Sequence, residues 1–110
     1  MNIIKEIGMP AMLEQLGEEC CELGQAAMKL ARKRRGENPT PKTDIDCQVD
    51  LCEEMADVML CINLIIDSGL ISHESIESYI VEKESRWKER LADRTRENLK
   101  LELDRRESVV

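Results

Sequence analysis

The spacing of apolar and polar positions predicts helices along most of the chain, because apolar residues recur at three- and four-residue intervals with charged residues between them. The predicted helices cover residues 1–8, 10–35, 49–68 and 72–91. Pro10 suits the first turn of a helix, and Gly36 and Gly69 are residues at which helices commonly end. The pattern therefore predicts an all-α protein of four helices.

Two segments fall outside this pattern. Residues 36–47 contain Asn38, Pro39 and Pro41 and predict a loop. Residues 92–110 form a charged C-terminal extension that either prolongs the last helix, packs on a partner subunit or frays. The 110 residues suffice for a single domain, and because a small helical chain buries little surface alone, we expect it to oligomerise.

Composition and charge exclude several classes of protein. Phe is absent, and Trp87 and Tyr79 are the only aromatic residues, which excludes an all-β fold. The net charge of −7 disfavours binding to a nucleic acid polymer, whose phosphates would be repelled. No apolar stretch reaches the roughly 18 residues of a membrane span, and residues 1–10 lack the apolar core of a secretory signal.

The cysteines indicate a reducing compartment. Five is an odd number, and no two of them form a CxxC pair, so neither a disulfide framework nor a zinc site is indicated. We expect buried free thiols and a cytoplasmic protein.

Acidic residues lie within the apolar stripes of two predicted helices. At about 100° per residue, Glu19 lies within about 60° of four apolar residues of its own helix, namely Met12, Leu16, Leu23 and Leu30. Glu54 lies within about 60° of Leu51, Val58, Cys61 and Ile65 in the same way. Glu22 and Asp57 each follow three residues later, about 60° to one side.

Carboxylates on core-facing stripes need a compensating charge. Unpaired buried charges are costly and like charges repel, and no cation lies near the first pair in sequence before Lys29. Oxygen ligands favour Mg²⁺, or Mn²⁺ as a substitute, over zinc. The alternative is a solvated acidic face, which is common on helices. The repeated arrangement favours a carboxylate metal site and names no substrate.

The two acidic segments also carry a family resemblance. Residues 18–22 (EECCE) match EExxE and residues 54–57 (EMAD) match ExxD, with apolar flanks on both sides. In this order the motifs resemble those of the MazG-like all-α nucleoside triphosphate pyrophosphohydrolases. The resemblance covers about residues 12–91 and implies a four-helix bundle completed as a homodimer or homotetramer. It also implies Mg²⁺-dependent cleavage of nucleoside triphosphates to monophosphates and pyrophosphate, as in nucleotide-pool housecleaning.

The resemblance assigns roles to individual acids. It implies that Glu19, Glu22, Glu54 and Asp57 are the metal ligands, and that Glu18 either holds a second metal or orients the attacking water in catalysis. The four ligands are the same carboxylates that the helical periodicity selects.

Substrate contacts are implied on the last helix. The family pattern continues near KxxRN, and residues 83–87 (KESRW) keep Lys83 and Arg86 but place Trp87 where the family has Asn. Trp87 is either a core anchor or a base-stacking residue. Lys29 lies one to two turns beyond Glu22 on the same flank and is a further candidate for substrate binding.

Two other functions remain open at this stage. One is a phosphoribosyl-ATP pyrophosphatase, an enzyme with the same kind of acidic motifs. The other is a non-catalytic helical dimerisation module, in which the acids would be solvated or paired. Gly17 and Gly24 share a helix face with Cys21 and Met28, which favours close approach of another helix, as at an oligomer seam.

Overall fold

The structure, a computed structural model, describes residues 1–37 and 41–108, and the regular structure within them is helical. The four helices are α1 (Ile3–Ile7), α2 (Met9–Arg35), α3 (Asp44–Asp67) and α4 (His73–Ser108). The chain divides into two compact units, Met1–Ile71 and Ser72–Val110. The all-α fold predicted from the sequence is confirmed for the described residues.

The first unit is an antiparallel pair of long helices with α1 against one end. Met12, near the start of α2, packs with Cys61 and Ile65, near the end of α3. At the opposite end, the guanidinium Nε of Arg34 donates a hydrogen bond to Asp44 Oδ1 at 3.2 Å. These two contacts fix the relative direction of α2 and α3, because each joins the start of one helix to the end of the other.

The core of this unit is small and follows the predicted stripes. Its buried hydrophobic residues are Met12, Ala26, Cys47, Val58, Cys61 and Ile65. Leu16, Leu23, Leu30 and Leu51 are half-buried beside them. The prediction of buried thiols holds for Cys47 and Cys61 and is wrong for Cys20, Cys21 and Cys52, which are exposed because they lie off the stripes of their helices.

The start of α3 differs from the prediction. The helix begins at Asp44, five residues earlier than residue 49, because Thr43 and Asp46 form a capping box. The Thr43 hydroxyl accepts from the Asp46 amide at 3.1 Å, and the Asp46 carboxylate accepts from the Thr43 amide at 3.5 Å. Residues 38–40 of the predicted loop lie outside the described residues. On the other side of this loop, Gly36 adopts a φ of 73°, and α2 ends there as predicted.

The second unit consists of α4. The Ser72 hydroxyl accepts from the Ser75 amide at 3.1 Å, which caps the helix where the sequence predicts. The extension that begins at residue 92 prolongs the helix to Ser108, which is one of the three outcomes predicted for it. Trp87 is 69% exposed in the single chain and shares a face of α4 with Leu91, so it is not part of a core among the described residues.

Replacement of Thr43 by alanine tests the capping box. The variant loses the side-chain acceptor for the Asp46 amide, so we expect the free energy of unfolding to fall by about 1 kcal/mol. Urea unfolding followed by circular dichroism measures this. Thr43→Ser is the matched control, because it retains the hydroxyl and should stay close to the wild type. Equal losses in both variants would contradict the role of the cap.

Candidate metal centre

Two pairs of carboxylates face each other across the α2–α3 interface. Glu19 and Glu22 lie one turn apart on α2, and Glu54 and Asp57 lie one turn apart on α3. Glu19 and Glu54 are half-buried, whereas Glu22 and Asp57 are exposed. Since both helices bury the stripe that contains the first acid of each pair, the packing that forms the core also brings the pairs together.

The four side chains converge closely. One carboxylate oxygen from each residue lies within 4.8 Å of the oxygens contributed by the others. Oxygen ligands of one Mg²⁺ sit 2.0–2.1 Å from the ion, so opposite ligands are at most about 4.2 Å apart. Small side-chain adjustments would therefore bring all four within reach of one ion. The convergence predicted from the sequence is confirmed, while metal binding by these residues stays a prediction.

Two oxygens of this cluster lack partners. Glu19 Oε2 and Glu54 Oε2 are buried and accept no hydrogen bond from the described residues. The other oxygen of Glu19, Oε1, accepts from the Gln15 side chain at 2.7 Å. Buried polar atoms are nearly always satisfied in folded proteins, and leaving one unpaired is costly. A cation bound to these two oxygens would therefore remove the free-energy penalty of leaving them buried without a partner.

The local electrostatics disfavour four ionised groups. The hydrogen bond from Gln15 lowers the pKa of Glu19, but burial and the charges of Asp57 and Glu22 outweigh it, and the net pKa is raised. The pKa of Glu54 is raised by burial first and then by the charges of Glu22 and Asp57. Both shifts have the same cause, which is crowding of carboxylates at a partly dehydrated interface.

The donor set fits a hard divalent ion. Cys61 lies against the cluster, but burial raises the pKa of its thiol, and the charges of Glu19 and Asp57 act in the same direction. A raised pKa makes this thiol a poorer metal ligand than a carboxylate, because the thiolate is the form that binds metal. The group that converges among the described residues offers carboxylate oxygens, which favour Mg²⁺ or Mn²⁺ over zinc.

A groove of about 380 Å³ adjoins the acids within the first unit. Its lining residues are Glu22, Gln25, Ala26, Lys29, Lys42, Asp50 and Glu54. The Lys42 ammonium donates to Asp50 Oδ2 at 2.5 Å, and this pair is about half exposed at 48% and 37%. Lys29 thus lies beside the acids, as its position on α2 predicts.

Lys42 and Asp50 were missed by sequence reasoning. The predicted helix over residues 49–68 already places Asp50 one turn before Glu54, so the helical period could have found it, whereas the capping box at Thr43 and Asp46 marks the start of α3. Lys42 precedes that cap directly, and its approach to the acids depends on the tertiary path of the chain.

The remaining candidates lie elsewhere in the structure. Glu18 is exposed on α2, next to Glu19 in sequence, and does not belong to the group of four. Lys83, Arg86 and Trp87 lie on α4 in the second unit, where they share one helix face with Arg90, Leu91 and Arg94. Arg86 forms an ion pair with Glu82 at 3.2 Å. Substrate binding by these α4 residues stays a prediction.

Comparisons of the chain with protein-family models, with curated proteins and with solved structures gave no match. Among the described residues, no helix is both long enough and apolar enough to cross a membrane. The case for a function therefore depends on the geometry of the acids and on the motifs that contain them.

Replacement of Glu54 by glutamine separates two effects of the acids: the destabilisation caused by their mutual repulsion and their binding of a metal ion. Without divalent ions the variant should melt at a higher temperature than the wild type, because one of four crowded charges is gone. With Mg²⁺ the order should reverse, since ligand binding stabilises only the protein that binds the ion. Thermal melts with and without Mg²⁺ measure both effects.

The matched control is Glu53→Gln, which makes the same charge change at an exposed neighbour outside the cluster. It should retain the full stabilisation by Mg²⁺. A wild-type melting temperature that does not respond to Mg²⁺ or Mn²⁺ would overturn the metal centre.

The raised pKa of Glu54 also predicts a pH dependence. In metal-free protein the folded state holds this proton to a higher pH than the unfolded state, whose pKa is near the ordinary 4.5. Ionisation of Glu54 therefore destabilises the fold above the raised pKa, and this cost disappears as the pH falls through it. The advantage of Glu54→Gln over the wild type should be largest near neutral pH and shrink on acidification. A difference that is constant between pH 7 and pH 4 would contradict this assignment.

Proposed function

We propose that the chain is a Mg²⁺-dependent nucleotide pyrophosphohydrolase that converts nucleoside or deoxynucleoside triphosphates to monophosphates and pyrophosphate. The observation that carries the proposal is the convergence of Glu19, Glu22, Glu54 and Asp57, with two buried oxygens left without partners. The resemblance of the two acidic motifs to the MazG-like enzymes supplies the reaction. Nucleotide-pool housecleaning in the cytoplasm is the corresponding physiological role.

The chemistry of the substrate matches the site. A triphosphate carries several negative charges that four bare carboxylates would repel. Magnesium held by the four acids would supply positive charge to the phosphates and activate water for attack. The protein's own contribution is to hold its carboxylates in a fixed array, since each acid projects from a helix anchored by the core.

Glu18 is proposed to orient the attacking water. It is the exposed acid adjacent to the metal-ligand candidate Glu19, and it does not take part in the group of four. An acid with this role can accept a proton from water as the bond to phosphorus forms. Glu18→Gln should therefore lower turnover while retaining stabilisation by Mg²⁺, whereas a second-metal role would reduce both.

Substrate binding by three α4 residues is proposed on the family resemblance. Lys83 and Arg86 bear charges suited to phosphate, and Trp87 presents an exposed aromatic face suited to a nucleobase. Base stacking is the role proposed for Trp87, one of the two that the sequence allows.

A homodimer or homotetramer is proposed as the active form. Six buried hydrophobic residues make a small core, and α4 has no buried residue among those described. Apolar side chains on the α2–α3 surface remain exposed, including Met55 and Met59. A Cβ built on Gly17 or Gly24 meets no atom within 4 Å in the described part of the chain. The close helix contact proposed at these glycines would therefore be made with a second copy of the chain.

The products distinguish this activity from other reactions of nucleotides. The chain contains no GxxxxGK[ST] loop that would cradle a γ-phosphate for transfer, so we expect pyrophosphate to leave as one unit. Incubation with Mg²⁺ and a panel of nucleoside and deoxynucleoside triphosphates, followed by phosphorus NMR, should show monophosphate and pyrophosphate. Glu54→Gln should lower turnover by at least about 100-fold, and Glu53→Gln should leave it close to the wild type.

The same assay separates the alternative functions. Diphosphate with orthophosphate would refute the proposed cleavage. Turnover of phosphoribosyl-ATP alone would identify the related pyrophosphatase. Absence of turnover together with absence of Mg²⁺ binding would leave the helical dimerisation module.

A further inference from the structure

We propose that Lys42 and Lys29 form an anion subsite beside the carboxylate cluster, where they contact the phosphates of a metal-bound polyphosphate. This inference rests on the proposed function and extends it by naming two phosphate-contacting residues within the first unit. Lys42 belongs to neither sequence motif, and only the structure places it here.

The groove is lined by both acidic and basic side chains. Glu22 and Glu54 belong to the carboxylate cluster and also line the groove, so the groove opens directly from the candidate metal centre. Lys29 from α2 and Lys42, just before α3, line the same groove. A polyphosphate held through a cation on the acids would extend into a space that already contains two ammonium groups.

The surroundings hold Lys42 at this place. Asp50 accepts a hydrogen bond from its ammonium, and Thr43, its neighbour in sequence, is fixed by the capping box of α3. The Lys42 side chain nevertheless remains 48% exposed, so an incoming phosphate oxygen can reach it.

Charge balance alone is the competing explanation for the lysines. If they only offset the acids from a distance, their removal would strengthen the binding of a metal ion and weaken the binding of an anion only slightly. If they contact phosphate, removal should weaken anion binding strongly, because a charge-assisted hydrogen bond is lost together with the positive charge. The two explanations therefore differ in the effect on an anion measured with the metal already bound.

Isothermal titration calorimetry with two probes tests the subsite. For Lys42→Met, the affinity for Mg²⁺ alone should be unchanged or higher, because a nearby positive charge is gone. The affinity for inorganic pyrophosphate at saturating Mg²⁺ should fall about tenfold or more, the loss expected for one charge-assisted hydrogen bond. Lys29→Met should behave similarly, and Lys42→Arg should retain most of the affinity because it keeps the charge.

The control is Lys5→Met, which makes the same charge change on α1 and does not line the groove. It should match the wild type with both probes. Unchanged pyrophosphate affinity in Lys42→Met and Lys29→Met would overturn the subsite while leaving the proposed function intact, and so would a parallel loss of Mg²⁺ affinity, which would indicate structural damage. A wild-type protein that binds neither probe would overturn both proposals.

Discussion

The packing of α2 against α3 is the interaction on which the rest of the structure depends. The two helices bury stripes that include Glu19 and Glu54 along with Met12, Val58 and Cys61. A leucine at either acidic position would extend the apolar contact and remove an unpaired buried oxygen. Glu19 and Glu54 therefore make the interface less stable than leucines would, and this loss of stability arises where the acids meet. Local departures from optimal stability of this kind are characteristic of functional sites.

The antiparallel direction of the helices gives the acids their arrangement. The apolar cluster around Met12 closes one end of the pair, and the Arg34–Asp44 ion pair lies at the other. The carboxylates occupy the middle of the pair, between these two contacts. A metal site built on two such helices would be held more precisely than one built on loops.

Charge around the site is graded along the same helices. Lys29 and Lys42 line one groove with Glu22, Asp50 and Glu54, and basic residues fill the last turn of α2, where they complement the helix dipole. A substrate with an anionic chain and a metal ion bound to it would match this sequence of charges. A free metal ion would use only the acidic part, and a bare anion only the basic part.

The sequence by itself determined the helices, their apolar stripes and the two pairs of acids on those stripes. These features depend on residues within a few positions of one another, so the helical period and the residues at helix ends are enough to locate them. The same local chemistry would have placed the start of α3 had the capping box at Thr43 and Asp46 been taken into account. Only the tertiary structure decided which acids meet, which of their oxygens lose all partners, and that Lys42 lies beside them. Those properties depend on how two helices separated by a loop pack together, and no spacing along the chain fixes that distance.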